Sequence, residues 1–241
     1  MSRVFLAFVA LCVFACHGAR LKIVNGQLAD IKDFPYMVSL QYNGTFFGHD
    51  YDHFCCGSII SNEWIITSAQ CANAFDTEKF HVRAGSSKYY EDGVVYKVAK
   101  TFLHPKFNQL SYDYDVGLLK VSSTVKLALH LQITSIWLLG PISDLLHGSQ
   151  IEKISRERCK YAYGSNRLTD NMFCAFTEGF GPCVGDSGSG AILDDQIIGV
   201  TSWTYGCAYE NPTVYAKVSS ALEWIIGTMS HDNEESYQMV F

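Results

Sequence analysis

Apolar residues in this chain fall into short runs, many alternating with polar positions. "YMVSLQY", "CGSIISNEWIITSA", "KFHVRAG", "VVYKVAKTFLH", "DVGLLKV", "GAILDDQIIGVTSW" and "TVYAKV" each read as a strand or strand pair bounded by Gly, Asn, Asp or Pro. This punctuation predicts an all-β sandwich or barrel, not alternating β and α units. One late pattern differs. "SSALEWIIGTM" has helical spacing, with Ser219 or Ser220 as its N-cap. The polar, acidic "SHDNEESYQMVF" that follows predicts a mobile tail over residues 230–241. At the other end an unbroken apolar run, residues 4–16, lies between one arginine and a set of small residues. That is the layout of a secretory signal peptide over residues 1–19, too short to span a bilayer; cleavage after Ala15 and after Ala19 both fit. The mature chain is expected to be extracellular.

Charge and cysteine content narrow this further. A formal charge of −6 argues against a nucleic-acid or anionic-membrane partner. Of nine cysteines, Cys12 and Cys16 fall in or beside the leader, leaving Cys55, Cys56, Cys71, Cys159, Cys174, Cys183 and Cys207. In an oxidising compartment most should pair, and the odd count leaves one over. Paired C-x-x-C spacing is lacking, so disulfides are favoured over zinc. His49 and His53 flank two aspartates in "HDYDH". With no third fixed ligand evident, that stretch reads as a polar loop, and no metal is expected. Asn43-Gly44-Thr45 is a glycosylation sequon, placed on a loop.

Five stretches then line up in order: "KIVNG" (22–26), "HFCCGSIISNEWIITSAQC" (53–71), "DYDVGLLKV" (113–121), "PCVGDSGSG" (182–190) and "TSWTYGCAYENPTVYAKV" (201–218). Together they resemble the secreted trypsin/chymotrypsin-like serine proteases over nearly all the mature chain. The resemblance implies two perpendicular six-stranded-type antiparallel β-barrels with a C-terminal helix, here with a shortened second barrel, since the stretch between Val121 and Cys159 is brief. It implies a propeptide over 20–22, a protease domain over 23–229, and an activation junction at Lys22–Ile23 whose new ammonium pairs with Asp186. It also implies the disulfides Cys55–Cys71, Cys159–Cys174 and Cys183–Cys207. Cys56, where the family has glycine, is left unpaired, either as a buried thiol or as a handle for intermolecular pairing.

Acyl transfer by a serine needs a base within hydrogen-bond reach, a carboxylate to orient that base, and donors for the oxyanion. By resemblance Ser187 fits the nucleophile, Asp115 the orienting carboxylate, and the N–H groups of Gly185 and Ser187 the oxyanion hole. The family motif ends Ala-His-Cys; here it ends Ala-Gln-Cys, so Gln70 stands where the base belongs. A carboxamide takes no proton near neutral pH. Its NH₂ is expected to face Asp115 and its carbonyl Ser187. His53 is placed behind the nucleophile. The primary pocket, formed by Gly181, Ser202, Trp203, Thr204 and Thr213, changes too. Gly181 replaces the carboxylate of a trypsin-type pocket, Thr204 and Thr213 replace wall glycines, and Ser189 is a milder departure. Drift at packing positions is the bland alternative.

The combination resembles the inactivated protease paralogues of scabies mites. That implies a secreted binding protein rather than an enzyme, with host proteins, complement components among them, as partners, and with no cofactor, metal or calcium. The alternative is an active endopeptidase with an unusual base.

Overall fold

A computed structural model describes residues 23, 25–44, 51–125, 137–139, 145–164, 166–207 and 210–238. The leader, residues 20–22 with Lys22, His49, the sequon's Thr45 and residues 239–241 lie outside the described residues. Along the chain run β1 (Gln27–Leu28), β2 (Met37–Asn43), β3 (Tyr51–Ile59), β4 (Trp64–Thr67), α1 (Ala69–Ala72), β5 (Phe80–Ala84), β6 (Val94–Leu103) and β7 (Gly117–Val121). They are followed by β8 (Trp137–Leu139), β9 (His147–Gln150), α2 (Arg156–Tyr163), β10 (Met172–Ala175), β11 (Gly190–Leu193), β12 (Gln196–Trp203), β13 (Thr213–Lys217) and α3 (Val218–Gln238). β2 to β7 close a six-stranded antiparallel barrel in the order β2-β3-β4-β7-β6-β5. The second half carries a four-stranded sheet, β10-β13-β12-β11, and a three-stranded sheet, β1-β9-β8. This is a chymotrypsin-like architecture.

The alternation in the sequence explains the barrel. In β5, Phe80, Val82 and Ala84 point inward while His81 and Arg83 stand partly exposed. The continuous apolar runs of β4 and β7 have a different cause, because these strands are buried on both faces. Ile65 and Leu119 pack inside the barrel with Leu40, Phe80 and Val82. Their neighbours Ile66 and Leu118 pack outward against Val200, Ala216 and Ile225 of the second sheet and α3. The two halves are therefore cemented at β4 and β7, whose ends carry Gln70 and Asp115. The three expected disulfides are present, at sequence separations of 16, 15 and 24. Cys56 is free and fully buried. Asn43 ends β2 as an exposed residue rather than lying on a loop beyond it.

The carboxyl end differs from expectation. α3 starts at Val218, directly after β13, so Ser219 and Ser220 are helical residues rather than N-caps, and the helix continues through 230–238 instead of giving way to a mobile tail. Trp224, Ile225 and Met229 seat it on the core. Asp232, 3 % exposed, then binds both Lys100 of β6 and Lys120 of β7. Burial raises the Asp232 pKa, but the two ammonium groups outweigh it and hold the carboxyl below its ordinary value. Among the described residues no helix is long and apolar enough to cross a membrane.

Candidate active site

β4 ends at Thr67, and Ser68 caps α1 by accepting the Cys71 N–H at 3.3 Å. That turn presents Gln70 toward Asp115. Asp115 lies just before β7, and Tyr112 and Tyr114 near it adopt positive φ (57° and 51°). Such a backbone is strained for bulky residues, and at Tyr114 it is backed by stacking on His104 at 4.4 Å. Asp115 is fully buried. Its Oδ1 accepts the Gln70 N–H at 3.0 Å, and its Oδ2 accepts Gln70 Nε2 at 2.8 Å and Ser202 Oγ at 2.6 Å. Burial raises its pKa against those hydrogen bonds, which favour the charged form.

The Gln70 amide is oriented as expected in one half only. Its second Nε2 hydrogen goes to the Ser202 carbonyl at 2.7 Å. Among the described residues no hydrogen bond joins Gln70 to the Ser187 hydroxyl. The carboxamide nitrogen has two hydrogens, and Asp115 and Ser202 accept both. Gln70 thus bridges the buried carboxylate and the main chain of β12.

Ser187 sits half-buried on a tight loop. The loop is built by Asp186 N–H to Cys183 O (3.1 Å), Ser189 N–H to Asp186 O (3.1 Å) and Gly188 N–H to Thr201 O (2.8 Å). Gly188 has φ +85°, and a Cβ there would lie 2.2 Å from Thr67 Oγ1 and 2.3 Å from Cys56 O, so only glycine lets the loop close on β3 and β4. Among the described residues the N–H groups of Gly185 and Ser187 have no protein acceptor, as an oxyanion hole requires. Ser189 donates or accepts at 2.8 Å with Thr201 Oγ1, which satisfies its buried hydroxyl.

His53 cannot stand in for Gln70. Its Nε2 lies 3.2 Å from the Gly185 carbonyl and its Nδ1 2.8 Å from Ser39 Oγ. A carbonyl only accepts, so Nε2 carries the proton and Nδ1 accepts from Ser39. Burial lowers its pKa to about 4, opposed by the Gly185 carbonyl, and leaves the ring neutral. Cys56 Sγ lies 3.5 Å from the same carbonyl, and burial, with Asp186 nearby, pushes the thiol well up. Asp186 is fully buried; its Oδ2 accepts the Cys183 N–H at 2.7 Å, while its Oδ1 has no partner among the described residues. Burial raises its pKa to about 7. Ile23 is fully buried as well. Among the described residues no three His, Cys, Asp or Glu side chains gather as a metal site would need.

The pocket region holds a residue that the sequence reading missed. α2 ends in Tyr163, whose ring stacks edge-on to Trp203 at 4.7 Å and to Tyr205 at 5.3 Å. Its hydroxyl donates to Pro212 O and lies 3.4 Å from Thr204 Oγ1. Thr204 Oγ1 also reaches Pro212 O at 3.3 Å. Thr204 is thereby tied across the space between β12 and the start of β13, where Thr213 is only 2 % exposed. Gly181, with φ 150°, is buried and carries no side chain. The signals for α2 were present: Ser155 as N-cap, accepting the Arg158 N–H at 3.2 Å, and Gly164 at the C-cap with φ 84°.

A family model described as Trypsin matches residues 23–136 and 131–225. The chain belongs to the trypsin family. Among curated relatives, Hypodermin-B of Hypoderma lineatum is 36% identical over 230 residues, covering 85% of this chain and 86% of the relative. Trypsin of Phaedon cochleariae is 32% identical over 232 residues, covering 85% and 87%. Trypsin 5G1 of Aedes aegypti is 34% identical over 229 residues, covering 85% and 84%. In this trypsin-family chain Gln70 and Ser202 are the hydrogen-bond partners of the buried Asp115.

Proposed function

We propose that this chain is a secreted trypsin-family member without proteolytic activity that acts by binding other proteins. One observation carries the proposal. The side chain hydrogen-bonded to Asp115 at the proton-shuttle position is a carboxamide, with both Nε2 hydrogens committed to Asp115 and Ser202. Ser187 then has no base. Loss of the histidine from a serine protease triad costs on the order of 10⁶ in turnover in subtilisin. Thr204, tied to Tyr163 and Pro212, and the buried Thr213 add a second obstacle to a substrate side chain.

The relatives named as trypsins argue for proteolysis by descent, but the chemistry at Gln70 argues against inheritance of that activity. An active endopeptidase would need a substitute base, and both nitrogens of His53 are already engaged. The likeness to the inactivated protease paralogues of scabies mites extends the proposal to partners: host proteins of the defence system, with complement components the first to test.

The test uses the full chain cleaved after Lys22. On a panel of chromogenic peptide substrates it should show no turnover above a Ser187→Ala control. In a pull-down from host plasma, with and without complement activation, it should retain a specific complement protein. Turnover abolished by Ser187→Ala would overturn the inactive reading, and recovery of no specific protein would overturn the binding reading.

A further inference from the structure

A separate cavity shares no residue with the Gln70–Asp115–Ser187 constellation. β1 pairs with β9 so that Gln27 stands directly opposite Gly148. Side chains two residues apart on a strand share a face, so Gln150 projects from the same face as Gln27. Gly148 fills none of the space between them. One side of this hollow is walled by the turn that carries Thr177 and Phe180. That turn is closed by Phe180 N–H to Thr177 O at 2.9 Å and held by Asn25 Nδ2, itself on the cavity wall, to Gly179 O at 2.9 Å and by Glu152 N–H to Thr177 Oγ1 at 3.1 Å. The Phe180 ring is held 38 % exposed at its rim. The result is a cavity of about 310 Å³.

The chemistry of this cavity selects a ligand class. None of its lining residues is charged, so an ion finds nothing to neutralise it. Among the described residues the exposed side-chain amides of Gln27 and Gln150 hydrogen-bond to no protein group, and each offers two donors and an acceptor. A purely apolar ligand would cover them without replacing their water. A ligand that suits both walls needs hydroxyls on one edge and a C–H face for the ring. We propose that this cavity binds one neutral hexopyranose unit of a glycan, with its hydroxyls on Gln27 and Gln150 and its C–H face on Phe180. The volume is at the small end of ligand pockets and suits one pyranose ring. A single sugar in an open site should bind with a Kd on the order of 1 mM.

The experiment is a titration of the full-length protein with the methyl glycosides of mannose, galactose and glucose, followed by saturation-transfer NMR and calorimetry. At least one should bind near 1 mM, and Gln150→Ala, Gln27→Ala and Phe180→Ala should each weaken it about tenfold or more while the melting temperature of the protein stays unchanged. Failure of all three glycosides to bind would overturn the proposal, as would binding undiminished in the two glutamine variants. The glutamine variants decide the matter alone if Phe180→Ala melts early. Tighter binding of the uncharged peptide acetyl-Gly-Asn-Gly-amide than of any glycoside would also overturn it, because the site would then be reading peptide groups.

Discussion

Cleavage after Lys22 should change how stability depends on pH, by an amount that follows from Asp186. In the uncut chain its carboxyl is fully buried with Oδ1 unpartnered, and its pKa is raised from 3.8 to about 7. Between pH 4 and 7 the folded state then holds a proton that the unfolded state has released, so stability falls as pH rises across that window. Three pKa units correspond to roughly 4 kcal/mol. His53 has the opposite sign: its folded pKa of about 4 lies below 6.5, so stability is gained as pH rises between those values. Its contribution is common to the cut and uncut chains and cancels in their difference. Cleavage frees the Ile23 ammonium, whose ordinary pKa is about 7.7–8.0. Paired with Asp186, the ammonium has a raised folded pKa, so its stabilisation is complete below about pH 8 and is lost as pH rises through the folded value. The cut chain should therefore gain on the uncut one from pH 4 to 7, by up to roughly 4 kcal/mol, and give the gain back above pH 8. At about 2–4 °C per kcal/mol for a chain of this size, the melting temperatures should diverge by roughly 8–16 °C near neutrality. Calorimetry of both forms at half-unit pH steps measures this directly. Parallel profiles would refute the pairing of Ile23 with Asp186.

Other consequences are more local. Asp232→Ala leaves two lysines facing each other at the base of α3 and should cost about 2–3 kcal/mol, less than a wholly buried pair because Lys100 is 45 % exposed; chemical denaturation reads it, and an unchanged midpoint would remove the clamp's role. In the chain cleaved after Lys22, Cys56 should resist Ellman's reagent in the native state and titrate as one thiol after unfolding, whereas rapid native labelling would contradict its burial. Restoring peptide turnover should require Gln70→His together with Thr204→Gly and Thr213→Gly. Vigorous Arg-specific cleavage by the single Gln70→His variant would show that the threonines and Tyr163 leave the pocket open.

The barrel was legible in the sequence because its strands alternate or run apolar in register with their burial: "KFHVRA" shows one buried face, and "WIIT" and "GLLKV" show two. The three disulfides and the ends of β4 and β7 followed from the ordered motifs. α3 was misjudged because its second half has no apolar stripe; what extends it is Asp232 reaching lysines more than a hundred residues earlier in the chain, which periodicity does not register. α2 was missed because only Cys159 and Tyr163 are buried in it, which leaves a weak apolar pattern between its Ser155 and Gly164 caps. With α2 went Tyr163, the residue that ties the two pocket segments together. For Gln70 the sequence supplied the identity of the change and the partner Asp115, but not the Ser202 carbonyl, because a main-chain acceptor carries no signature in side-chain letters.

The central claim, that Ser187 has no base, is tested most directly by reaction of the Lys22-cleaved chain with a fluorophosphonate probe, read by mass spectrometry at Ser187. No adduct is predicted after hours for the native chain, while Gln70→His, with Asp115 and the Gly185 and Ser187 N–H groups already in place, should label readily. Rapid Ser187 labelling of the unaltered chain would contradict the account.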